Sequence, residues 1–130
     1  MKHRWAQLET AEPKIGFDRF LTESHSKQDN DQYASRNRTR LLDKLRSIPD
    51  GDGNLLDHSI ILYGRALSNG NAHDHHPLPV VLVGGGSGKI KGGRHIASNN
   101  APMSNLLLSI LDKVGIEIES FGDSTERFEL

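Results

Sequence analysis

Apolar and polar positions along the chain fall into two helical patterns and two strand-like runs, separated by segments dense in glycine, asparagine and proline. From Asp29 the spacing is helical: Leu41, Leu42, Leu45 and Ile48 follow i, i+1, i+4, i+7 along one stripe, and Pro49 ends it. Asp29 or Asn30 stands where an N-cap belongs. Residues 49–54 (PDGDGN) predict a tight turn. They imitate the start of a calcium loop, with Asp50, Asp52 and Asn54 at alternating positions. Leu55 replaces the required glycine and Ile61 the required bidentate glutamate, so the turn is the reading kept.

Residues 59–63 (SIILY) and 79–83 (PVVLV) are continuous apolar runs, the pattern of strands covered on both faces. A third extended segment is expected over residues 93–97. After Pro102, the positions Met103, Leu106, Leu107, Ile110, Leu111 and Val114 predict a second helix, stopped at Gly115. Ile116 and Ile118 then alternate with Glu117 and Glu119 in a short strand or extended tail, and residues 121–130 are polar and expected to be loose. Residues 1–28 are polar, poorly periodic and interrupted by Pro13 and Gly16. They predict a poorly structured arm, with at most a short helix around residues 17–21, ahead of one folded unit over residues 29–130. Strands set between helices predict a layered α/β arrangement with a mainly parallel sheet.

Composition narrows the partners more than the fold. A chain of 130 residues with 35% hydrophobic content suffices for one modest domain. Sixteen Lys and Arg against seventeen Asp and Glu leave a net charge of -1, so neither nucleic acid nor an anionic membrane is an expected partner. The one local excess of cations, between Arg36 and Arg46, reads as a solvated helix face. Without cysteine there are no disulfides and no thiolate metal ligands, which leaves the compartment open. The opening MKHRWAQLETAEPK lacks the apolar stretch of roughly 7–15 residues that a signal peptide needs.

Chemistry is concentrated in one loop. Between the two apolar runs lie His73, Asp74, His75 and His76. Neutral imidazole is a common ligand for zinc and similar cations, and a loop brings several rings onto one ion without the constraint of a helix. His73 and His75, two apart, are the candidate metal ligands, with His76 turned toward solvent or Asp74. The bland alternative is a set of solvated surface histidines. In α/β sheets ligands bind beyond the carboxyl ends of strands, and this loop follows the run 59–63. His58 and His95 read as hydrogen-bonded structural residues. The stretch 84–93 (GGGSGKIKGG) fails the phosphate-loop pattern at Val83 and Ile90, and it fails the dinucleotide pattern as well. It reads as a flexible connection, with an anion contact from its amides, Lys89, Lys91 and Arg94 as the lesser alternative. Ser24 beside His25, and Ser104 in a helical first turn, are not taken as nucleophiles. No catalytic and no cofactor-binding residue is assigned.

The order LLDHSIILYG, LSNGNAHDHHPLPVVLVGGG, KGGRHI and APMSNLLLSILDKVGIEIESFGDST resembles the C-terminal part of the HXXSHH family, bacterial proteins of unknown function that are similar to the alkaline-phosphatase-like superfamily. The resemblance runs from about Leu41 to Thr125. Upstream, Leu21 to Ser26 stand at the name motif, and only Ser24 and His25 fit it, with Leu21 and Ser26 in place of its first and last histidines.

The resemblance implies the C-terminal portion of an alkaline-phosphatase-like layered fold, with a mainly parallel sheet flanked by helices. It also implies that the chain is a piece of a longer, exported protein or a truncated reading frame, whose missing N-terminal portion or a second copy would be its partner. In that superfamily an acidic ligand commonly ends one strand, where this chain has Ser68, Asn69 and Gly70, and a later histidine precedes another, as His73 to His76 do here. The expected function is a supply of histidine ligands to a divalent-metal site of a phosphatase- or sulfatase-like fold, without catalysis by this chain alone. The alternative is a non-catalytic structural or interaction module with a vestigial histidine loop.

Overall fold

The computed structural model describes the backbone of residues 5–11, 29–68, 71–98 and 100–130, and side-chain packing from residue 36 onward. Strand β1 (Trp5–Ala11) is followed by helix α1 (Asp29–Ser47), a two-stranded hairpin of β2 (Pro49–Asp50) and β3 (Gly53–Asn54), then β4 (Ile61–Gly64), β5 (Leu78–Val83), β6 (Arg94–Ala97) and helix α2 (Met103–Lys113). No helix among the described residues is long and apolar enough to cross a membrane.

The main sheet has the order β4-β5-β1-β6. β1 runs parallel to β5, with Leu8 beside Val80, while β6 is antiparallel to β1 and β4 antiparallel to β5. The sheet is therefore mixed, where the sequence predicts a mainly parallel one. The reason lies between β4 and β5: parallel neighbours need a long crossover, usually a helix, and there is none among the described residues that connect them. β1 departs from the expected poorly structured arm, since Trp5–Ala11 lie between β5 and β6 in the middle of the sheet. The expected helix at 17–21 and the degraded motif at Leu21 to Ser26 lie outside the described residues.

Alternation along β5 builds two cores. Leu78, Val80 and Leu82 meet Leu106, Ile90 and Leu130 on one face; Val81 and Val83 meet Leu42 and Leu56 on the other. Helix α1 thus covers one face and α2 the opposite one. β4 is an edge strand, so its run is only half covered: Ile61 and Tyr63 pack toward α1, and Leu62 is 38% exposed.

Helix α1 ends as predicted at Pro49, and the hairpin turns at Gly51, φ +56. Helix α2 is rotated from the predicted stripe. Its buried positions are Ser104, Asn105, Leu106, Leu108 and Ser109, while Leu107 and Leu111 are half-buried. Two faces are covered because the expected loose tail is docked. Asn105 accepts the Thr125 amide at 2.8 Å, Ser109 Oγ accepts the Phe128 amide, and Arg127 donates to Asp112 at 2.6 Å. Residues 121–130 lie along α2 and place Leu130 in the core.

Candidate metal loop and its surroundings

The loop of residues 65–77 leaves β4 and returns as β5. The Ser68 amide donates to the Asp74 carbonyl at 2.8 Å, which draws the histidine segment back toward the end of β4. His73 takes φ +50, a left-handed conformation that polar turn residues tolerate better than bulky apolar ones. His75 Nδ1 stands 3.2 Å from the Ala66 carbonyl. A carbonyl only accepts, so the contact requires Nδ1–H and leaves the lone pair of a neutral ring on Nε2, the tautomer a metal ligand presents. The His76 amide faces Asp74 Oδ1 at 3.4 Å, and the His76–Pro77 peptide is cis. His73 and His76 are exposed and His75 is half-buried.

Among the described residues no group of three or more histidines, aspartates or glutamates is gathered for a metal ion. His73 and His75 share the loop, and among the described residues no third histidine, aspartate or glutamate joins them in a metal-binding group. Asn69, standing where the resemblance leads one to expect an acidic ligand, lies outside the described residues. Because β4 is antiparallel to β5, the loop sits at the carboxyl end of β4 but at the amino ends of the parallel pair β1 and β5.

The carboxyl end of β5 carries the glycine-rich segment, and its amides are already used. Gly85 donates to Leu56 O, Gly86 to Ser59 O, Ser87 to Asp57 O, Gly88 and Ile90 to Gly85 O, and Lys89 to Gly86 O. An anion needs convergent unsatisfied amides, and this run of six donates inward instead. Lys89 Nζ donates to the Lys113 carbonyl at the end of α2. The segment is a close backbone joint: a Cβ on Gly84 would stand 2.1 Å from Ser59 O, and one on Gly85 2.6 Å from Asp57 O. Glycine is required there by contact, in place of the flexible connection expected.

Opposite the hairpin, His58 Nδ1 meets Asp50 Oδ2 at 2.9 Å and Nε2 meets Asp52 Oδ1 at 3.1 Å. Hydrogen bonding to Asp50 is the main reason its pKa is raised; partial burial opposes this, and Asp50 and Asp52 add further attraction. The aspartates that imitate a calcium loop thus hold an imidazole. The signal in the sequence is two alternating aspartates in a tight turn with a histidine just beyond it. Ser104 Oγ donates to Asp123 Oδ1, consistent with its reading as a packing residue. The Ser24 and His25 pair lies outside the described residues.

Compared with protein-family models, with curated proteins and with solved structures, the chain matches none.

Proposed function

We propose that this chain is a segment of an HXXSHH-type protein with an alkaline-phosphatase-like layered fold, and that it contributes His73 and His75 to a divalent-metal site, with zinc the first candidate. The observation that supports this reading is the contact of His75 Nδ1 with the Ala66 carbonyl, which selects the ligating tautomer and aims the ring before any ion arrives. With two ligands from this chain, the rest of the coordination would come from residues outside it. In the complete protein a bound metal would polarise a phosphate or sulfate ester, by analogy with the superfamily. The role proposed for this chain is the supply of ligands, without catalysis by the chain alone. Its test is an imidazole NMR titration with zinc: His73 and His75 ring signals shift together, while those of His58 and His95 stay in place. Shifts confined to other histidines refute the assignment.

The second reading, a non-catalytic structural module, is favoured by one observation. The other polar clusters that invite a ligand, at Asp50–His58–Asp52 and at Gly84–Ile90, are engaged within the protein. A flat zinc titration leaves this as the function.

A further inference from the structure

Helix α1 and the segment that follows α2 carry opposite charge. Between Arg36 and Arg46 there are five cations and one carboxylate; between Glu117 and Leu130 there are five carboxylates and one arginine. Arg36, Arg40 and Lys44 are exposed and spaced four apart, so they form a stripe on α1 with about 6 Å between successive positions. Arg46 is exposed beyond them. Glu117, Glu119, Glu126 and Glu129 are exposed on the segment that follows α2 and is tied to it by Asn105, Ser109 and Asp112. Among the described residues none of these eight side chains forms an ion pair. The cores formed by alternate residues of β5 put α1 and the acidic segment on opposite faces of the sheet.

We infer that the basic stripe of α1 is a docking surface for the acidic face of a second copy of this chain. Both complementary surfaces are present in one molecule, which favours a second copy over an unrelated polyanion. A net charge of -1 puts little overall repulsion in the way. The contact is head-to-tail: a docked pair keeps one unused basic face and one unused acidic face, so assembly grows with concentration instead of stopping at a symmetric dimer. Exposed charges are involved, so the association belongs to low ionic strength, where the Debye length is about 30 Å at 0.01 M salt, and disappears near 1 M, where screening shortens it to about 3 Å.

Sedimentation velocity of the full chain at both salt concentrations tests this, using an R36E/R40E/K44E variant, an E117K/E119K/E126K variant and their equimolar mixture. Far-UV circular dichroism verifies that each variant folds. The wild type should sediment as larger species at low salt and as a monomer at high salt. Each variant alone should stay monomeric at low salt, and the mixture should recover the larger species, because the reversed stripe of one now meets the reversed face of the other. A wild type that is monomeric at low salt overturns the proposal, as does a mixture that stays monomeric. Salt-insensitive association kept by both variants would place the contact at the edge strand around Leu62. A labelled single-stranded DNA that binds the stripe while the wild type stays monomeric would reassign it to nucleic acid.

Discussion

The buried carboxamide of Asn105 and Thr125 hold each other twice: Oδ1 accepts the Thr125 backbone amide at 2.8 Å, and Nδ2 donates to the Thr125 side-chain Oγ1 at 3.3 Å. Asn105 is fully buried. Replacing it with Ala leaves the Thr125 amide without this partner, at a cost of about 1–3 kcal/mol plus the loss of packing around the gap. Denaturant unfolding of Asn105→Ala should show that loss, and limited proteolysis should cut first within residues 121–130. Unchanged stability would mean the tail is not held by this residue.

Gly84 and Gly88 separate contact from conformation. Both have positive φ, +108 and +81, but a Cβ on Gly84 strikes Ser59 O while one on Gly88 meets nothing within 4 Å. Gly88→Ala should cost about 1–2 kcal/mol, the ordinary penalty of a left-handed residue. Gly84→Ala should cost more than about 4 kcal/mol or prevent folding, because backbone must move. Equal thermal shifts for the two would contradict the joint between residues 56–59 and 84–87.

His58 links stability to protons. Its folded pKa is raised above the ordinary 6.5, so folding binds the proton more tightly than the unfolded chain does. The stabilisation is therefore fully present below about pH 6.5 and is lost as pH rises through the higher folded value. Melting temperatures of wild type and His58→Asn should differ most at low pH within the folded range and converge above neutrality. A gap that widens with rising pH would reverse the sign and remove the clasp.

On α2 the buried and half-buried leucines should part company. Leu106 is fully buried between the helix and β5, so Leu106→Ala should cost about 2–5 kcal/mol by denaturant unfolding. Leu111→Ala should cost less, since Leu111 is half-buried. The reverse order would restore the stripe centred on Leu107 and Leu111.

Helix α1, the hairpin, β5 and α2 were legible because each depends on a local pattern: a 3.6-residue period, a turn composition or an apolar run. β1 was not. Trp5–Ala11 have no apolar run, and their strand is fixed by pairing with β5 and β6, far along the chain. The burial of Ser104, Asn105 and Ser109 was also hidden, since polar residues enter a core only when distant partners satisfy them. The same holds for the histidines. Their crowding in residues 73–76 was plain from the sequence, whereas the hold of Ala66 on His75 and of two aspartates on His58 depends on the folded chain.

The claim that His73 and His75 ligate a metal is tested most directly by calorimetric titration of zinc into the wild type, the H73A/H75A variant and an H25A control. Two ligands predict weak binding, about micromolar or poorer, against the far tighter hold of a four-ligand site. That heat should vanish in H73A/H75A and persist in H25A. Heat that survives the double variant but disappears with H25A, or no heat in the wild type, contradicts the account.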